Sequence, residues 1–135
     1  MKLLSLKGDG IGPEIVSATE RVLKAADSLF ELDLSFQAEV VGFDALAAEG
    51  STIPDRVIDA ALAADGIILG PVSHNDYPPV SEGGLNPSGT LRKKLDLYAN
   101  IRPAVTRQGI VPPCGKAFEL VVVRENTEGF YADRN

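Results

Sequence analysis

Leu3-Leu4-Ser5-Leu6-Lys7-Gly8-Asp9-Gly10-Ile11-Gly12-Pro13-Glu14 is the stretch that decides the fold. The apolar run from Leu3 to Leu6 predicts a strand, and the glycines after it predict a tight turn. Proline is favoured at the first position of a helix, so a helix is expected to open at Pro13. The turn is not the dinucleotide fingerprint G-x-G-x-x-G, because proline stands where the third glycine is needed, and no Lys-Ser/Thr pair follows to make a P-loop.

The segments that follow alternate between strand and helix patterns. Apolar and polar residues alternate from Leu32 to Val40, which predicts a strand with one buried face. Helices are predicted from Phe43 to Glu49 and from Pro54 to Ala64, and a buried strand from Gly66 to Gly70. The helix residues expected to face the core are Ile15, Val16, Val22, Leu23, Ala26, Leu29, Val57, Ile58, Ala61 and Leu62. This order predicts an open α/β sheet, in which ligands bind beyond the carboxyl ends of the strands.

Another helix is expected to begin after Asn86. Asparagine is a good N-cap, and Pro87 suits the first helical position because its missing N–H would be unpaired there. Three apolar residues at helical spacing are expected to face the core: Leu91, Leu95 and Tyr98.

The start of this helix also predicts an anion site. Ser88 lies in the first turn, among free backbone N–H groups at the positive end of the helix dipole, and Arg92 lies one turn further on. Arg102 follows in a segment stiffened by Pro103, and two guanidinium groups suit a ligand with more than one carboxylate. The alternative is that Arg92 pairs with Asp96 on a solvated helix surface, and this stretch alone leaves both interpretations open.

Two further segments contain or precede candidate functional residues. The one from Pro71 to Leu85 is rich in proline and glycine and too long for a simple connector, which favours a functional loop. It holds the only histidine, His74, so a site built from several histidines is excluded. The apolar run from Leu120 to Val123 predicts another buried strand, and it leads directly into Arg124.

Composition narrows the class of protein. The chain has 135 residues, 44% of them hydrophobic, and a formal net charge of −6, which argues against nucleic acid or an anionic membrane as a partner. Its one cysteine, Cys114, excludes an internal disulfide, and the sequence contains no apolar run of transmembrane length and no signal-peptide pattern. A cytoplasmic location is expected.

Four stretches in the same order resemble the β-decarboxylating dehydrogenases of 2-hydroxy acids, which act on isocitrate, 3-isopropylmalate, homoisocitrate or tartrate. They are GDGIGPE from Gly8 to Glu14, the loop from Gly70, LRKKLDLYANIRP from Leu91 to Pro103, and VVVRENTEGFY from Val121 to Tyr131. The resemblance implies a three-layer α/β/α sheet of the isocitrate/isopropylmalate dehydrogenase type, incomplete in this chain. It also implies NAD-dependent oxidation of a 2-hydroxy di- or tricarboxylic acid with loss of carbon dioxide, and NADP is not excluded.

The resemblance assigns roles residue by residue. Ser88, Arg92, Arg102 and Arg124 match substrate-binding positions, and Tyr131 matches the catalytic tyrosine that protonates the enol left after decarboxylation. The cofactor-binding positions are Ile11, Pro71, Val72, Ser73, His74, Asn75 and Asp76. In isopropylmalate enzymes bulky apolar residues stand where this chain has Ser88 and Gly89, which argues against an isopropyl group. Isocitrate enzymes have a serine where this chain has Asn86, so their pattern is not reproduced either, and an isocitrate-like or small dicarboxylic substrate is favoured.

The chain departs from the family in length. Residues 1–103 match the first part of the large α/β domain and residues 104–135 the start of a second, smaller domain. The catalytic lysine and the aspartates that bind Mg²⁺ or Mn²⁺ have no counterpart here, so the metal ligands are expected outside this chain. We expect an N-terminal piece of a longer enzyme, inactive alone and homodimeric at full length.

Two other classes of function are compatible with these residues. A non-catalytic regulatory subunit or carboxylate-binding module of the same family would keep the arginines, but it would have no enol for Tyr131 to protonate. In a general α/β domain the arginines would make only surface ion pairs.

Overall fold

The computed structural model describes residues 1–126, and contacts divide the chain into two compact units, Met1–Leu95 and Asp96–Asn135. The elements of the first unit are β1 (Lys2–Leu6), α1 (Gly12–Phe30), β2 (Ser35–Glu39), α2 (Phe43–Glu49), α3 (Asp55–Leu62), β3 (Gly66–Leu69) and α4 (Pro87–Lys94). A 3₁₀ turn, Val80–Glu82, lies in the loop before α4.

The three strands of this unit form one parallel sheet in the order β2-β1-β3. Helices cover both faces of it. Leu4 and Leu6 of β1 lie in the buried cluster with Val57 of α3 and Leu91 of α4, whereas Ser5, which points to the opposite face, donates its hydroxyl hydrogen to Glu20 of α1 over 2.5 Å. The predicted α/β/α arrangement is therefore confirmed for this part of the fold.

The helix ends of this unit follow local sequence signals. Helix α2 has the predicted bounds and ends at Gly50, which adopts the left-handed conformation. Helix α4 begins after Asn86, whose side-chain oxygen accepts a hydrogen bond from the Gly89 N–H over 3.3 Å, as the N-cap prediction requires. Strand β2 is shorter than predicted because Glu31 and Asp33 have φ angles of 53° and 55°, which turn the backbone before the strand begins.

Several apolar residues predicted to be buried are exposed instead. Helix α1 buries Val16 but exposes Val22 and Leu29, and Leu62 at the end of α3 is 62% exposed. Tyr98 is 89% exposed because α4 ends at Lys94, so the helical spacing that placed it on the core face no longer applies. Within residues 1–126, no helix is both long and apolar enough to cross a membrane.

The second unit contains an antiparallel ribbon of β4 (Ala99–Val105) and β5 (Glu119–Glu125). The strand predicted at Leu120 to Val123 is confirmed as part of β5, but these four residues are between 44% and 62% exposed, so the prediction that the strand is buried is wrong. Among the described residues of this unit, these two strands are the only helices or strands. Strand β4 pairs with β5 along its whole length, and the domain boundary predicted after residue 103 stays a prediction.

Candidate active site

The carboxyl ends of the three parallel strands are joined by one side chain, Asp9, which lies in the turn after β1. Its Oδ1 accepts a hydrogen bond from the Phe43 N–H over 2.8 Å, at the start of α2 beyond β2. Its Oδ2 accepts from the Ser73 N–H over 2.9 Å and from the Tyr77 hydroxyl, both in the loop after β3. The Asp9 N–H in turn donates to the Pro71 carbonyl over 2.8 Å. One carboxylate thus connects the segments that follow all three strands.

Glycines make this close approach of the three segments feasible. A Cβ atom on Gly8 would lie 2.1 Å from the Pro71 carbonyl oxygen, and one on Gly42 would lie 2.2 Å from Oδ1 of Asp9. Gly70 faces the Lys7 carbonyl oxygen, which a Cβ would approach to 2.1 Å. Since real Cβ atoms do not approach oxygen so closely, the sequence needs glycine at these positions.

Tyr77 completes the contacts of Asp9. Its ring packs edge-on against Phe43, with the centroids 4.9 Å apart and the planes at 84°. Burial, together with the hydrogen bond to the Asp9 carboxylate and the charge of that group, raises the pKa of the Tyr77 phenol well above its usual value. The phenol therefore remains a hydrogen-bond donor throughout the physiological range. No specific role was predicted for Asp9 or Tyr77 from the sequence. An aspartate between glycines in a turn nevertheless often accepts hydrogen bonds from nearby backbone N–H groups.

The predicted cofactor-binding residues lie at this same edge of the sheet. Ile11 is exposed in the turn after β1, and the residues from Pro71 to Asp76 open the loop after β3. In that loop Val72 and Ser73 are half-buried, whereas Pro71, His74, Asn75 and Asp76 are exposed. Asp9 thus joins the turn that contains Ile11 to this loop, and the part of these residues in cofactor binding stays a prediction.

Two residues of the predicted anion site, Ser88 and Arg92, lie in α4, and their part in anion binding stays a prediction. Ser88 and Arg92 are half-buried, and a Cβ on Gly89 would lie 3.8 Å from Nη2 of Arg92, so the guanidinium lies over the first turn of the helix. Among the residues that the structure describes, the ion pairs are those of Lys24 with Glu20 and of Arg56 with Glu39 and Glu49, and none joins Arg92 to Asp96. Helix α4 ends at Lys94, and Asp96 has a φ of 50°, so these two residues do not share a helical face.

The two other predicted substrate arginines lie on one face of the β4–β5 ribbon. Asn100 pairs directly with Arg124, and Arg102 pairs with Val122. Residues two apart on a strand share a face, as do directly opposed residues, so Arg102 and Arg124 are diagonal neighbours with Cα atoms about 7–8 Å apart. The Arg102 Nε–H donates to Oδ1 of Asn100 over 2.9 Å, which holds this guanidinium beside Asn100 on the same strand.

The end of this ribbon is fixed next to Arg124. Asn126 is buried, and its Nδ2 donates to the Leu97 carbonyl over 2.9 Å. The predicted catalytic Tyr131 lies outside the described residues. Residues 1–126 contain no group of three or more His, Cys, Asp or Glu side chains that could hold a metal ion.

Comparisons with known proteins agree on one family. The family model described as isocitrate/isopropylmalate dehydrogenase matches residues 2–135. The chain is 33% identical to the 3-isopropylmalate dehydrogenase of Saccharophagus degradans, covering 96% of this chain and 39% of that protein. It is 34% identical to the isocitrate/homoisocitrate dehydrogenase of Thermus thermophilus, covering 98% and 37%.

Solved structures give the same result. The isocitrate dehydrogenase of Methylococcus capsulatus superposes with a TM-score of 0.78 at 36% identity, covering 97% of this chain and 36% of that one. A β-decarboxylating dehydrogenase of Thermococcus kodakarensis superposes with a TM-score of 0.71 at 32% identity, covering 95% and 34%. The chain therefore spans well under half the length of the proteins it matches.

Proposed function

Because the chain belongs to the isocitrate/isopropylmalate dehydrogenase family, we propose that the whole protein is an NAD(P)-dependent, metal-assisted enzyme. It oxidises a 2-hydroxy di- or tricarboxylic acid at C2 and releases the β-carboxylate as carbon dioxide. The cytoplasmic location, the homodimeric assembly and the choice between NAD and NADP stay predictions.

The observation that carries this proposal is the shared face of Arg102 and Arg124 on the β4–β5 ribbon. Two planar guanidinium groups at this spacing can each make paired hydrogen bonds to carboxylate oxygens. We assign Arg92, with Ser88 at the N-terminus of α4, to the same substrate. Holding both carboxylates fixes the hydroxyl-bearing carbon in one orientation. Such positioning lowers the barrier to the reaction, because the reactant no longer has to be oriented in the transition state.

The chemistry at C2 needs groups besides the arginines. When bound, NAD(P) would take the hydride from C2 and a divalent metal ion would polarise the substrate hydroxyl. The loop from Pro71 to Asp76, whose tip from His74 to Asp76 is exposed at the carboxyl edge of the sheet, suits the cofactor. Since residues 1–126 offer no cluster of metal ligands, we place those ligands outside the described residues. Tyr131 is proposed to give its phenolic proton to the enol carbon after the carboxylate leaves.

The direct test is an assay of the native polypeptide with NAD or NADP and Mn²⁺ against isocitrate, 3-isopropylmalate, homoisocitrate and tartrate. At least one acid should yield carbon dioxide and reduced nicotinamide in equal amounts. The kcat/KM for isocitrate is expected to exceed that for 3-isopropylmalate, because Ser88 and Gly89 offer no apolar contact for an isopropyl group. Binding of these acids without any turnover would instead support the regulatory, carboxylate-binding alternative.

A further inference from the structure

We infer that Asp9 and Tyr77 are positioning residues that hold the loop from Pro71 to Tyr77 in the shape that takes up the dinucleotide. The inference rests on the proposed function, since it concerns the loop assigned there to the cofactor.

Asp9 makes several hydrogen bonds to this loop. Its Oδ2 accepts from Ser73 N–H and from the Tyr77 hydroxyl, which lie four residues apart, and its backbone N–H donates to Pro71. The loop is therefore attached to the turn after β1 at its beginning, middle and end. Tyr77 is also fixed from the side by the ring of Phe43.

These contacts lie at the carboxyl ends of β1 and β3. The strand order β2-β1-β3 means that the chain leaves β1 toward one side and returns as β3 on the other. Such a reversal leaves a crevice beyond the carboxyl ends of the two strands, and open α/β sheets bind their ligands there. The two segments that border this crevice, the turn after β1 and the loop after β3, are the ones that Asp9 joins.

The hydrogen bonds to Asp9 leave the tip of the loop exposed. The Ser73 N–H and the Tyr77 hydroxyl bond to Asp9, so they face the turn and not the solvent. His74, Asn75 and Asp76, between them, are exposed. The contacts thus leave the polar tip of the loop accessible to a ligand while its two sides are fixed. Pre-organisation of this kind raises affinity by lowering the ordering cost of binding.

Asp9→Asn and Tyr77→Phe test the inference. Asp9→Asn keeps one acceptor oxygen for the Phe43 N–H but places an amide N–H donor opposite the Ser73 N–H. Tyr77→Phe removes only the hydroxyl group and keeps the contact between its ring and that of Phe43. We expect the KM for NAD(P) to rise on the order of 10-fold in each variant. The KM for the carboxylic acid should stay within about twofold, because a positioning effect confined to the loop leaves the arginines in place. Amide exchange at Ser73 should become faster.

Matched controls are Asp59→Asn, on the exposed surface of α3, and Tyr98→Phe, at an exposed phenol. Both should leave the two KM values unchanged. The inference is overturned if Tyr77→Phe leaves the NAD(P) KM unchanged, or if both variants raise the two KM values equally, as general destabilisation would. If the protein turns over none of the acids, dissociation constants for NAD(P) replace KM. Nucleotide binding that weakens in both variants then upholds the inference although the proposed reaction fails, and no binding by the unaltered protein overturns it.

Discussion

Arg124→Lys is expected to lower kcat/KM for the carboxylic substrate on the order of 100-fold. A lysine ammonium keeps the charge but cannot reproduce the planar pair of N–H donors, and one lost hydrogen bond to a charged group is worth roughly 1.5–3 kcal/mol. At about 1.4 kcal/mol for each factor of ten, this corresponds to about 10- to 150-fold. Steady-state kinetics on the native polypeptide measure the effect.

The matched control for this substitution is Arg107→Lys. Arg107 is exposed in the connection between β4 and β5 and has no proposed contact with substrate. The kcat/KM of the Arg107→Lys variant should stay within about twofold of that of the unaltered protein, since the ion pairs of a surface arginine contribute little free energy. If Arg124→Lys had no larger effect than this control, Arg124 would not belong to the substrate site.

Gly70→Ala is expected to lower the free energy of unfolding by about 3 kcal/mol, the upper range for overpacked sites. The added Cβ would lie 2.1 Å from the Lys7 carbonyl oxygen and 2.8 Å from Cγ2 of Val16. The oxygen belongs to the backbone at the end of β1, so no side-chain rotation relieves the clash. Urea denaturation followed by circular dichroism measures the change.

Gly89→Ala separates this clash from the general effect of adding a methyl group. Gly89 lies inside α4, and the nearest atoms to its added Cβ would be 3.7 Å away, an ordinary contact. Alanine is the better helix former, so stability should rise by about 0.5–1 kcal/mol. Equal losses in the two variants would show that the close approach of Gly70 to Lys7 does not limit stability.

The parts of the fold that sequence predicted well are those fixed by neighbouring residues. Asn86 and Pro87 specify the start of α4, and Gly50 specifies the end of α2, because capping involves groups within a few residues. Burial was predicted less well, because it depends on what packs against an element. The apolar run of β5 has the composition of a buried strand, yet its residues from Leu120 to Val123 are between 44% and 62% exposed.

For the candidate site, sequence indicated the residue types but not their arrangement. Arg102 and Arg124 lie on one face because of the register that pairs Asn100 with Arg124, and a shift of one residue would place them on opposite faces. Asp9 was missed for a similar reason. Its partners lie 34, 64 and 68 residues away along the chain, so no local pattern could relate them.

The three arginines are proposed to bind one polycarboxylate, and a crystal structure of the native polypeptide with isocitrate would show whether they do. We expect guanidinium nitrogens of Arg92, Arg102 and Arg124 within about 3.2 Å of carboxylate oxygens of a single isocitrate molecule. An isocitrate molecule that is bound elsewhere, or that contacts only one of the three, would contradict the account.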